Sequence, residues 1–289
     1  MSISINELVE NINDIVSLPG VFLRVNAMVN SKNVSMTDVA EVISQDPGLT
    51  IRVLKMANSP AFGTSKEIDS VVKAATVIGT ERIRDIALAT SAVETFDGIP
   101  NDLLSMEDFW MHSIYCAIIS KYLAKLAKVP KADSLFVAGL LHDIGQLVLF
   151  KELPDDSRKA LEFILDDIEG AELHDVEKEL WGFDHADVGG VLAESWHLTP
   201  MLVEVISSHH DLSHASQYIK ESAIVKIANS IAVMTELNTT NIEETDADMI
   251  NSDDWIAAGF DPAQADKIIE QAESNAHESY KEVKSLLLE

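Results

Sequence analysis

The chain is poor in cysteine, in basic residues and in long apolar runs. Its one cysteine, Cys116, excludes an internal disulfide, and the neighbours Tyr115, Ala117 and Ile118 predict a buried structural thiol. That fits a reducing, cytoplasmic compartment. Lysine and arginine number 21 against 48 acidic residues, a formal charge of −27. Such a balance repels phosphate backbones and anionic lipid unless a local basic patch intervenes, and no strong one is visible. No stretch reaches the uninterrupted apolar length of a bilayer span, and Met1-Ser2-Ile3-Ser4-Ile5 lacks the basic-then-apolar pattern of a secretion signal, so neither membrane insertion nor secretion is expected. The acidity reads as solvated surface. Alternating strand-like runs joined by Asn-Gly or Asp-Gly turns are also scarce, which argues against a β fold.

What remains is helical. With 289 residues, 47% of them hydrophobic, the chain has enough apolar surface for a sizeable core. Asp46-Pro47 predicts a helix start, an N-cap followed by a first-turn proline, and Thr199-Pro200 and Asp261-Pro262 repeat it. A helix from about Ser70 is expected to stop at Gly79, with Thr80 capping the next. The hairpin between Val71 and Leu88 superficially resembles a DNA-binding helix-turn-helix, but Glu81 and Asp85 accompany Arg82 and Arg84, and a packed helical pair explains the same pattern. No nucleic-acid partner is expected. The polar, acidic stretch 238–254 reads as an exposed loop; Asp246 and Asp248 hint at a calcium loop, yet Ile250 and Asn251 stand where it needs an oxygen ligand and a turn glycine. The last segment, from Asp261 to Glu289, returns to helical spacing and is expected to pack back on the body.

Chemistry concentrates in the histidines. Phe136 to Phe150 is apolar almost all round and predicts one buried helix, in which His142 and Asp143 are the polar exceptions. A buried imidazole beside a buried carboxylate must find partners or a metal, because an unpaired interior charge costs roughly several kcal/mol. His112 shares the helical stripe of Cys116, Ile119, Leu123 and Leu126 and should face inward. His185 shares a face with Gly189, Leu192 and Trp196, while His209 and His210 end the helix begun at Pro200. These are the ligand types used by zinc, iron, manganese or nickel, although the spacings alone do not make them converge.

The string Leu140-Leu141-His142-Asp143-Ile144-Gly145 resembles the signature of the HD phosphohydrolase superfamily, and its flanks resemble the HDOD branch. The branch-specific segments are Leu18-Pro19-Gly20, Gln45-Asp46-Pro47-Gly48-Leu49-Thr50, Ala57-Asn58-Ser59 and Ala74-Ala75-Thr76-Val77-Ile78-Gly79. Phe109-Trp110-Met111-His112-Ser113, Phe183-Asp184-His185-Ala186-Asp187 and Ser208-His209-His210 follow in the family's order.

The resemblance implies an all-α, multi-helix HD-like domain over 14–213, with an N-terminal helical subdomain and a C-terminal helical extension over 214–289. It places candidate ligands of a divalent metal at His112, His142 and Asp143, with His185, His209 and His210 as further candidates, and assigns no catalytic residue. The superfamily's later aspartate falls on Asn229, a weaker ligand, and a lysine common after the motif glycine falls on Gln146. The expectation is therefore a non-catalytic signalling or regulatory scaffold, linked to cyclic-dinucleotide systems and acting through a protein partner. The alternative is a metal-dependent phosphohydrolase acting on a nucleotide or cyclic dinucleotide.

Overall fold

The computed structural model describes residues 4–13, 18–31, 35–59, 67–96, 105–166, 172–239 and 250–288. Among them there is no strand. The acidic stretch around Asp246 and Asp248, where the calcium hint lay, falls outside the described residues apart from its ends.

The N-terminal part is built of short helices, beginning with α1 (Ile5–Asn13), α2 (Gly20–Val29) and α3 (Met36–Ile43). Asp46 accepts from the Leu49 amide and opens α4 (Pro47–Asn58). Ser70 caps α5 (Val71–Ile78), which stops at Gly79, a residue at φ 87° that only glycine adopts without strain. Thr80 is not the cap of α6 (Thr80–Phe96) but its first residue; the Gly79 carbonyl accepts the Ile83 amide. Nearly all of α6 is interior, from Ile83 to Val93. Its Arg84 pairs with Asp85 at 2.6 Å, and Ser134 donates to the same carboxylate at 2.6 Å. These internal partners satisfy a charge pair that burial would otherwise penalise.

The centre of the molecule is α7 (Met106–Leu126), opened by Ser105 accepting from the Asp108 amide. His112 is half-buried and Cys116, Ile119 and Leu123 are buried, as the stripe predicts, but Leu126 at its end is 43% exposed. Around α7 pack α8 (Ala132–Leu141), α14 (Ile219–Thr239) and α16 (Ala265–Leu288). The C-terminal helix α16 thus lies on the body, burying Ile268, Ala272, Ala276, Val283 and Leu287. Asp261 caps a short 3-10 turn, Pro262–Gln264, that leads into it.

The long apolar segment departs from the expected single helix. It divides into α8 and α9 (Ile144–Glu152), with His142 and Asp143 at the break. The span Ala132–Glu152 has the length and apolarity of a membrane helix, yet 94% of its apolar window is buried inside the fold. Its apolarity is that of a core element packed on every side. On the far side, α9 packs against α12 (His185–Ser195), which packs on α13 (Pro200–Ser208).

Candidate metal centre

Two glycines let the ligand-bearing helices touch. A Cβ on Gly139 would sit 2.7 Å from Ser120 Oγ and 2.8 Å from the Cys116 carbonyl, so α8 lies directly on α7. A Cβ on Gly145 would sit 2.0 Å from the His185 carbonyl oxygen, so α9 lies directly on the start of α12. The break between α8 and α9 falls where those contacts meet. It carries Asp143 to the middle of the histidines.

Each oxygen of that carboxylate faces its own pair of rings. Asp143 Oδ2 is 3.2 Å from His142 Nε2 and 3.6 Å from His112 Nε2. Asp143 Oδ1 is 3.2 Å from His185 Nε2 and 3.4 Å from His209 Nε2. His210 joins the second group through His185, Nε2 to Nε2 at 2.8 Å. The structure therefore brings together all six candidate residues in two groups that share Asp143: His112, His142 and Asp143, and Asp143, His185, His209 and His210. His142, His209, His185 and Asp143 are buried, and His112 and His210 are half-buried.

The opposite nitrogens show how these rings are held. Nδ1 of His112 meets Glu236 at 2.9 Å, that of His142 the Gly139 carbonyl at 2.8 Å, that of His185 Glu177 at 2.6 Å and that of His209 the Ile206 carbonyl at 2.7 Å. Every acceptor calls for a proton on Nδ1, which leaves the Nε2 lone pairs turned toward Asp143. Imidazoles held this way by carboxylates and carbonyls are the outer arrangement of metal-ligating histidines.

The buried ends remain short of donors. Asp143 Oδ1 and His209 Nε2, 3.4 Å apart, are buried with no hydrogen-bond partner. Lone pairs of several rings and a carboxylate facing one another repel unless a proton or a metal cation intervenes. The residues present thus fit a divalent cation.

Without metal, protons do that work. Burial would lower the His142 imidazole, but the adjoining Asp143 charge carries it well above its ordinary value. Burial opposes His185 too, and Glu177 with Asp143 raises it to about 10. Burial would raise Asp143, yet His142 and the other rings hold it well below the carboxylate range. Burial, together with the charged His142 and His185 nearby, pushes His209 down to about 4, and burial with its neighbouring rings puts His210 well below its usual range. Two rings are charged beside one carboxylate.

The cluster opens on one side to a cleft of about 710 Å³. His112, Asp143, His185 and His210 reach it, and so do Gln146 and Asn229, the two amides singled out in the sequence. Asp108, Glu172 and Glu236 also line it, with His174 but, among the described residues, no lysine or arginine. Sequence reasoning missed Glu177, Glu236, Glu172 and His174. Only the burial of Glu177, beside Val176 on α11 (Leu173–Trp181), leaves a trace in the pattern of its helix.

Known proteins agree with this architecture. The profile of the HDOD domain family matches residues 15–212. A solved structure named "Putative phosphohydrolase", from Shewanella amazonensis SB2B, superposes with a TM-score of 0.73 at 26% identity, covering 97% of each chain. An HDOD domain protein with unknown function from Geobacter sulfurreducens does so with a TM-score of 0.72 at 24% identity, covering 98% of each. An uncharacterized protein of Treponema pallidum (strain Nichols) is 25% identical over 215 residues, 74% of this chain and 41% of that protein, so the chain spans about two fifths of that relative's length. On the family match, with the helical fold and the His142-Asp143 doublet it encloses, the chain belongs to the HDOD domain family.

Proposed function

We propose that this HDOD chain is a cytoplasmic signalling or regulatory domain that holds a divalent cation at the Asp143 cluster without turning over phosphoesters, and that acts through a protein partner. His112, His142, Asp143, His185, His209 and His210 would hold the ion. A cation bound there supplies Lewis acidity, polarising a phosphoryl oxygen and acidifying water.

The charge of the cleft carries the non-catalytic reading. Asp143, Asp108, Glu172 and Glu236 line it, and among the described residues no lysine or arginine does. Even two divalent cations would only balance four carboxylates, leaving no surplus positive charge for an anionic ester. Gln146 and Asn229 add amide dipoles where a cation and an anion would be of use. The test is turnover by protein reconstituted with manganese, iron, nickel or zinc, offered nucleotides and cyclic dinucleotides. No hydrolysis above that of the metal salt supports the reading.

A metal-dependent phosphohydrolase is the second reading, favoured by the unpartnered Asp143 Oδ1 and His209 Nε2 beside an open cleft. In that case Asp143 would help hold the ion and orient the water, and passing a proton to the leaving oxygen would fall to a histidine outside the ligand set. Hydrolysis abolished by His142→Ala would establish it.

A further inference from the structure

Besides the two groups that share Asp143, a third group of ligand-type side chains lies on the cleft wall. Glu172, His174 and His210 place one ligand atom each within 4.8 Å of the others. Glu172 stands just before α11 and is exposed, while His174 is in its first turn and half-buried. His174 Nδ1 is 3.2 Å from Glu172 Oε2, and its Nε2 is 3.5 Å from Asp175 Oδ1. The His174 ring stacks on that of His210, centroids 4.0 Å apart and planes 11° from parallel. His210 in turn reaches the buried cluster through His185 at 2.8 Å. One histidine is thus common to an outer and an inner set.

The inner set needs a way in. His142 and His209 are 0% exposed, His185 1% and Asp143 6%. The cleft is the side on which the cluster meets open space, and there His210 lies beside His185 on the wall. An aqueous ion entering a buried site must exchange water for protein ligands one at a time, and partial ligation at the mouth lowers the cost of that exchange. Two imidazoles and a carboxylate suit a borderline cation such as zinc, cobalt or nickel.

We infer that Glu172, His174 and His210 form an outer cation site that captures a divalent transition metal and passes it to the buried cluster by way of His210. The inference rests on the reading of the Asp143 cluster as a cation site. Glu172 supplies the charge that draws the ion, His174 the first nitrogen, and His210 the nitrogen shared with the interior. Rotation of the His210 ring away from its stack on His174 would complete the transfer.

The test uses the full chain stripped of metal by a chelator and mixed with cobalt(II), whose absorbance follows its coordination. Wild type is compared with His174→Ala and with Glu172→Gln, the latter an exposed position whose change leaves the core untouched. The expected result is filling of the inner cluster on the order of tenfold more slowly in both variants, with the same final inner occupancy. Filling at the wild-type rate in either variant would overturn the inference and leave Glu172 and His174 as an ion pair only. Absence of any cobalt uptake by wild type would instead sink the underlying cation reading, and is seen without the variants.

Discussion

Asp143 Oδ1 and His209 Nε2 face each other 3.4 Å apart in the interior, and neither has a hydrogen-bond partner. Their neighbours turn their Nδ1 protons outward: His209 gives its own to the Ile206 carbonyl, and His185 to Glu177. A fold that spends its donors on the outside of a ring of lone pairs is organised around a positive charge at the centre.

Asp143 belongs to both ligand groups, so its loss should be felt in both. Asp143→Ala is expected to reduce bound metal to background, whereas His112→Ala, which touches one group, should leave a fraction. Metal analysis of protein purified without chelator distinguishes them. Equal retention by both variants would place any ion elsewhere.

Glu177 reaches the centre through His185, whose Nδ1 at 2.6 Å and backbone amide at 2.8 Å both meet its Oε2. Glu177→Gln should weaken metal affinity by roughly 10- to 100-fold while leaving the number of ions at saturation unchanged. Competition with a chromogenic chelator measures the shift.

Loading should release protons. His142 and His185 carry a proton each in the metal-free cluster at neutral pH, and both must lose it to ligate. Two protons are therefore expected for a fully loaded cluster, read by an indicator dye in weak buffer. Because protons compete for the same nitrogens, affinity should rise with pH until His185 is itself neutral, near pH 10.

The metal-free protein should show the reverse trend in stability. His185 is raised from 6.5 to about 10, so its contribution is complete below pH 6.5 and is lost as pH climbs toward 10. Asp143 is depressed, so its contribution is present above 3.8 and is lost in acid. Urea midpoints of the chelated protein should thus fall between pH 7 and 9, and added metal should abolish the fall. A midpoint independent of pH over that interval would contradict the assignment of protons.

Gly145→Ala would drive a methyl into the His185 carbonyl, 2.0 Å away, and into the Gly189 amide at 2.7 Å. Backbone atoms cannot yield as a side-chain tip does, so α9 and α12 must separate. A loss of about 1–3 kcal/mol or more is expected by urea denaturation, together with metal. At Gly20, where a Cβ meets nothing within 4 Å, the same change should leave metal binding intact.

Local signals account for what the sequence revealed. Asp46 and Thr199 cap the helices they were expected to cap, because a side-chain oxygen answering an amide is a contact within one turn. His112 faces inward because its stripe is periodic. The break at His142-Asp143 was hidden for the opposite reason: a segment apolar all round has no period to interrupt. Leu126 shows that a stripe outlasts the core it faces by a turn. Glu177, Glu236 and His174 had no signal of their own, since each acquires its role from a ring brought up by a distant helix. The meaning of Asn229 and Gln146 came from resemblance, and the acidity of the cleft around them only from the fold.

The most direct measurement is the initial rate of phosphodiester hydrolysis by the metal-reconstituted full chain, with bis(p-nitrophenyl) phosphate and cyclic dinucleotides as substrates. The account predicts a rate equal to that of the His142→Ala variant and of the metal salt alone, in protein whose bound metal has been verified. A rate above both, vanishing in the variant, would contradict it.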